Sequence, residues 1–166
     1  MDTRLPAAAA TPPPCVARRV SVLVLDDNES VLEALPEALS TDPGLVVVGA
    51  ARCVAEAVRM AAALQPQVAV VDVNMPDGGG WAAARGLRDV CPCIRLVAYS
   101  AFDSALVTHT LVGAGMSAFV TKGSDVEMLL AAIHGEDIMP SESAARLLWR
   151  RKTGVPQASM LAVQHA

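Results

Sequence analysis

The 166-residue chain is 53% hydrophobic and 18% charged and carries a net charge of −4, with a pI near 5.3. This length suits one domain with tails and a sizeable core, the acidic balance argues against a general nucleic-acid binder, and no apolar run approaches the roughly 18 residues that span a bilayer. Cys15, Cys53, Cys91 and Cys93 fit no zinc-ligand spacing and are expected to be free thiols in a reducing cytoplasm.

Residues 1–18 are rich in Ala and Pro, with consecutive prolines at 12–14. Such a stretch cannot bury enough surface to order itself, and the prolines interrupt any signal-type apolar segment, so a disordered leader is expected. Val20 to Leu25 reads as a strand running straight into Asp26-Asp27-Asn28. Two adjacent carboxylates repel unless a cation sits beside them. Asn28 or Asp27 also suits the cap of a helix over 29–40, in which Pro36 predicts a kink or an early break. Pro43-Gly44 turns the chain into a second strand over 45–49. The spacing of Val54, Val58, Ala61 and Ala62 then predicts a helix over 51–64, stopped by Pro66.

Val68 to Val71 form an unbroken apolar run into Asp72, the pattern of a strand buried on both faces. Pro76 and Gly78 to Gly80 end it in a loop. A third helix follows over 81–90, then a strand over 94–99 that closes on Ser100-Ala101-Phe102-Asp103. A fourth helix is expected over 104–112, ending at Gly113 to Gly115. A short strand over 118–121 leads to Lys122-Gly123, and a fifth helix over 126–133 is terminated by Gly135.

Five βα units in succession predict an α/β fold with a parallel sheet, right-handed crossovers and helices on both faces. The flavodoxin-like (βα)5 doubly wound arrangement, strand order 2-1-3-4-5, places strands 1 and 3 side by side. Asp26, Asp27, Asp72, Ser100 and Lys122 then converge at the carboxyl edge of the sheet. Three clustered carboxylates imply a divalent cation, and an oxygen-only donor set with room for water favours Mg²⁺ over zinc. A metal, the Lys122 ammonium and the Ser100 hydroxyl aimed at one carboxylate suit a phosphoryl group in transfer. The natural nucleophile is Asp72, which would form an acyl phosphate. Asp27 would hold the metal directly, Asp26 through water, and the backbone carbonyl of Asn74 would add a further oxygen. With no metal bound the acids should repel, so neutralising Asp26 or Asp27 is expected to stabilise the fold by about 1 kcal/mol.

At these residues the chain resembles the receiver domains of two-component response regulators. The acid pair Asp26-Asp27, the run from Asp72 to Gly78, the Ser100-Ala101 dipeptide and Lys122 match the motif in order and spacing, over about residues 20–135. The resemblance implies phosphotransfer to Asp72 from the histidine of a sensor kinase, dependent on Mg²⁺. It implies a signalling phosphoacceptor rather than an enzyme, catalysing only its own phosphotransfer and dephosphorylation. It also implies a switch in which Ser100 moves toward the phosphoryl group and Phe119, three residues before the lysine, turns inward; the plain alternative for Phe119 is core packing. Phe102 departs from the polar residue that many relatives carry two places after the switch serine, and its ring is expected to shield the acyl phosphate from water. His109, His134 and His165 are not expected to donate phosphate. Aspartate-nucleophile phosphatases also place a metal-bound aspartate at a strand end, but they need a second acid two residues on, where this chain has Asn74.

The domain is expected over 19–136. Residues 137–166 resemble the linker that follows receivers in LuxR-type regulators, with Ser141 capping a helix to about Lys152. The cluster Arg150-Arg151-Lys152 suits a helix C-terminus better than a DNA contact. Direct nucleic-acid binding by this chain is therefore not expected, nor is membrane association. An output domain outside these residues and a homodimer both stay open.

Overall fold

In the computed structural model, which describes residues 19–76, 78–101, 113–136 and 138, the described residues include five strands and four helices. They are β1 (Val20–Leu25), α1 (Glu29–Leu39), β2 (Leu45–Ala51), α2 (Val54–Leu64), β3 (Val68–Asp72), α3 (Gly79–Val90), β4 (Arg95–Ser100), β5 (Ala118–Thr121) and α4 (Val126–His134). All strand pairs are parallel, in the order β2-β1-β3-β4-β5. The flavodoxin-like doubly wound expectation holds. Among the described residues, no helix is long and apolar enough to cross a membrane.

Strand residues alternate between two cores, as the period of two requires. Leu23, Leu25, Ala69, Val71, Leu96, Ala98 and Phe119 face one way and meet Ala57 and Ala61 of α2 and Ala83, Ala84 and Leu87 of α3. Val22, Val24, Val68, Val70, Val97, Ala118 and Val120 face the other way, toward Leu35 and Leu39 of α1 and Leu129, Ala132 and Ile133 of α4. All five residues of β3 are buried, because it lies in the middle of the sheet with helices over both faces. The alanines of α2 and α3 let that pair of helices lie close: a methyl added at Gly86 would stand 2.8 Å from Val58 Cγ2.

Several boundaries differ from those expected. β2 continues through Ala51, because Ala50 and Ala51 pair with Val24 and Leu25 of β1 after a register shift at Val22/Leu23. α2 accordingly begins at Val54, after an extended Cys53, with Glu56 reaching back to accept the Arg52 N–H at 2.9 Å. α3 begins two residues early, since Gly79 and Gly80 form its first turn. The strand expected over 94–99 occupies Arg95–Ser100, so Ser100 is a ladder residue paired with Thr121. Pro36 does not end α1, which runs on to Leu39. The leader at 1–18, the helix expected over 104–112 and the tail helix lie outside the described residues; the expected fifth helix is α4.

Beyond α4 the chain returns to the sheet. Gly135 ends the helix in a left-handed conformation, and the Arg95 guanidinium donates to the carbonyls of Ala132 and Glu136 at 2.9 and 2.8 Å. Ile138 is buried in the core shared by α1 and α4. Its carbonyl accepts the N–H of Phe119 on the terminal strand β5 at 2.7 Å.

Candidate functional site

The sheet topology delivers each polar residue to one edge. Asp26 directly follows β1, Asp72 ends β3, Ser100 ends β4 and Lys122 directly follows β5. Since β1 and β3 are neighbours, their terminal acids become neighbours too. Carboxylate oxygens of Asp26, Asp27 and Asp72 all lie within 4.8 Å of one another. Asp26 and Asp72 are buried, while Asp27 is exposed. Consecutive residues leaving a strand face opposite ways, which separates Asp26 from Asp27.

Asp26 and Asp72 use their oxygens alike. In each, Oδ1 accepts the backbone N–H two residues on, from Asn28 and Asn74 respectively, at 3.0 Å, the local turn that aspartate favours. In each, Oδ2 meets the Lys122 ammonium, at 2.6 Å for Asp26 and 2.8 Å for Asp72. Burial alone would lower the Lys122 pKa, but the hydrogen bonds to Asp26 and Asp72 outweigh it, and the value is raised. The ammonium stays charged. One cation thus bridges two buried carboxylates, with the third acid open to solvent beside them.

This pairing corrects one expectation. Asp26 is held by Lys122 and by the Asn28 N–H, so neutralising it removes a buried ion pair instead of relieving repulsion. The expectation stands only for exposed Asp27. Asn28, not Asp27, caps α1, its side-chain oxygen accepting the Ser30 N–H at 3.0 Å.

Ser100 has no exposed surface. Its carbonyl accepts the Lys122 N–H at 2.8 Å, tying the ends of β4 and β5 together, and its Oγ accepts from Asn74 Nδ2 at 3.1 Å. Sequence reasoning gave Asn74 only a carbonyl role and missed this side-chain contact. It also missed Tyr99, whose ring centre lies 5.9 Å from Lys122 Nζ; its place in β4 immediately before Ser100 was the available signal. Phe119 lies apart from the polar cluster, 3% exposed in the core with Ala98 and Met116. Phe102 lies outside the described residues. His134 is engaged elsewhere, 2.7 Å from Asp42 in the loop between α1 and β2. His109 and His165 lie outside the described residues.

Three carboxylate oxygens in one cluster form a hard-oxygen donor set that fits a Mg²⁺-type cation and not a thiolate-seeking metal. The strand-end carboxylate with a bridging ammonium and a buried hydroxyl nearby matches the requirements of phosphoryl transfer, which are positioning and charge stabilisation.

The family model for the response regulator receiver domain matches residues 22–134. The DNA-binding transcriptional activator DevR/DosR of Mycobacterium tuberculosis is 35% identical over 133 residues, covering 78% of this chain and 61% of its own length. The response regulator GacA of Pseudomonas aeruginosa is 34% identical over 114 residues, covering 69% of this chain and 53% of its own length. The chain thus spans a little over half the length of these relatives. Among solved structures, a LuxR-family two-component response regulator from Aurantimonas sp. SI85-9A1 superposes with a TM-score of 0.68 at 25% identity, over 81% of this chain and 98% of that one.

Proposed function

The chain belongs to the response regulator receiver domain family, and from that premise we propose that Asp72 is its phosphoacceptor, charged by the phosphohistidine of a sensor kinase in a Mg²⁺-dependent reaction. The observation that carries the reading is Lys122 bridging Asp26 and Asp72 through their Oδ2 atoms at 2.6 and 2.8 Å. Asp72 is the one of these acids that ends the central strand, with one oxygen on a backbone N–H and the other on the Lys122 ammonium.

In this reading a carboxylate oxygen of Asp72 attacks phosphorus. The new P–O bond forms as the P–N bond to the donor imidazole breaks, and the imidazole leaves with that electron pair. The carboxylate charge of Asp72 is replaced by the charge of the phosphoryl oxygens, and Lys122 follows it there while keeping Asp26. Asp26, Asp27 and Asp72, with the Asn74 carbonyl, would hold Mg²⁺, which when bound offsets charge on the phosphoryl oxygens. Ser100 supplies a hydroxyl donor from the adjacent strand end. Its movement is read as the switch, with Phe119 following it, because the Ser100 carbonyl is joined to Lys122 and Phe119 lies three residues before that lysine. The receiver signals by this change to an output segment or partner and has no substrate of its own. Phe102 is assigned the shielding of the acyl phosphate from water.

The test is labelling with acetyl phosphate or a phosphorylated sensor kinase, with and without Mg²⁺. One acid-stable, base-labile phosphoryl group is expected on wild type and none on Asp72→Asn, whose side chain keeps nearly the same shape. Wild type that stays unlabelled by every donor with Mg²⁺ present overturns the assignment, as does label that survives Asp72→Asn.

A further inference from the structure

Lys122 has to reach across a strand to meet Asp72. It directly follows β5, whereas Asp72 ends β3, and β4 lies between them. Neighbouring strands stand about 4.8 Å apart, so the gap from β5 to β3 is about 10 Å. The residue of β4 in that gap is Tyr99, paired with Asp72 on one side and with Val120 on the other. Its side chain is half-buried, and the Lys122 ammonium lies over its ring, 5.9 Å from the centre. We propose that Tyr99 is a positioning residue for Lys122: its ring holds the ammonium beside Asp72 while that carboxylate becomes an acyl phosphate. The proposal rests on the phosphoacceptor reading of Asp72.

The alternation of strand side chains brings these groups together. Val70, Val97 and Val120 face the core shared by α1 and α4, and Tyr99 packs against that same core. Asp72 and Lys122, two residues on from Val70 and Val120, continue the same face, and Ser100 falls on the other. A lysine head is a point charge on a flexible stem, and the pulls on this one are uneven. Asp26, beyond Asp72 on the β1 side, holds the ammonium at 2.6 Å, and Asp72 holds it at 2.8 Å. Once Asp72 is esterified its carboxylate charge is gone, and Asp26 would draw the ammonium toward β1. The Tyr99 ring stands on the β4 side of Asp72, opposite Asp26. It attracts the cation through its π face without demanding a particular N–H direction. The ammonium can thus turn its protons from carboxylate to phosphoryl oxygens without leaving the strand end. The plainer role, filling space beside the core, would be met by any apolar side chain of similar bulk.

Substitutions at position 99 of the full chain separate bulk from ring charge. Beryllofluoride with Mg²⁺ serves as the phosphoryl mimic, and the acetyl phosphate labelling rate is a second readout. Tyr99→Leu is expected to weaken beryllofluoride binding and slow labelling, each about threefold. Tyr99→Phe, which keeps the ring, is expected to recover most of both. Phenylalanines of increasing fluorination at the same position keep the shape and drain the π face, so affinity should fall stepwise along that series. In the untreated protein the Lys122 ε-methylene resonances sense the ring current; they should move in Tyr99→Leu and return toward wild type in Tyr99→Phe. Thermal melts confirm that each variant is folded, and where Tyr99→Leu is not, the fluorinated series decides. If Tyr99→Leu binds the mimic as well as Tyr99→Phe does, or the fluorinated series is flat, the positioning role is overturned while the phosphoacceptor reading survives. If wild type binds no beryllofluoride and takes up no phosphate, that reading fails and the proposal with it.

Discussion

Lys122 Nζ stands 2.8 Å from Asp72 Oδ2 across fifty residues of sequence, and the same ammonium holds Asp26 at 2.6 Å. Two buried carboxylates thus share one positive charge, a balance left one unit short. The shortfall is what makes the cluster receptive to a further cation, and the bridge is what lets it fold without one.

Replacing Lys122 with Met should therefore destabilise the metal-free protein by about 2–3 kcal/mol, toward the lower end of the range for breaking a buried ion pair because the lysine keeps some solvent contact. Mg²⁺ should restore part of the loss. The lysine pKa is raised by folding, so its stabilising contribution is complete below the ordinary lysine value and is lost as pH rises through the raised one. Chemical denaturation of wild type and variant should show a constant gap near neutrality that closes only in strong alkali. A gap that closes near pH 7 would contradict the bridge.

Asp26→Asn and Asp27→Asn should part company. Asp26 is buried and doubly held, so its neutralisation should destabilise by about 1–3 kcal/mol. Exposed Asp27 should give a change near zero or a gain of up to about 1 kcal/mol. Both variants should bind Mg²⁺ more weakly. Melts in chelator check the first pair of outcomes and calorimetry the second; equal melting shifts for the two variants would mean that burial does not distinguish them.

The contrast shows how far sequence reaches. The unbroken run from Val68 to Val71 and the five strand ends announced the sheet, its order and the convergence of Asp26, Asp27, Asp72, Ser100 and Lys122, because these follow from period and topology. What stayed hidden depends on the path of single loops. Ala50 and Ala51 pair with β1 only after a register shift that passes over Val48 of β2. The reach of Asn74 to Ser100 depends on the turn after β3, and the unequal burial of Asp26 and Asp27 on how the chain leaves β1. No local pattern encodes those.

That turn after β3 carries its own prediction. Gly79 has φ near +60°, and a methyl group there would press on the Val73 carbonyl oxygen, which already accepts the Gly80 N–H at 3.0 Å. Gly79→Ala should cost at least about 2 kcal/mol, the left-handed penalty plus the backbone displacement. Because Asn74 is the next residue after Val73, labelling of Asp72 should slow as well. Denaturant titration and the acetyl phosphate rate measure the two effects; an unaltered protein would mean the loop has another conformation.

At the other end of the sheet, Asp42 is held below the ordinary carboxylate range by the hydrogen bond from His134 and then by the Gly44 N–H. A depressed carboxyl contributes stability above its ordinary value and loses it as pH falls through the lowered one. His134→Ala should move the Asp42 titration upward by carbon-detected NMR, though not all the way, because Gly44 remains. The stability difference between variant and wild type should shrink in acid. An unmoved Asp42 would sink the assignment.

The match to the receiver family stops at residue 134, yet the folded core extends to Ile138, which is 1% exposed. Anyone trimming the chain to its family boundary would remove a side chain from the interior and uncover the Phe119 N–H on a sheet margin. Such a margin invites strands from other molecules, so a shortened protein should clump in solution where one retaining Ile138 stays dispersed.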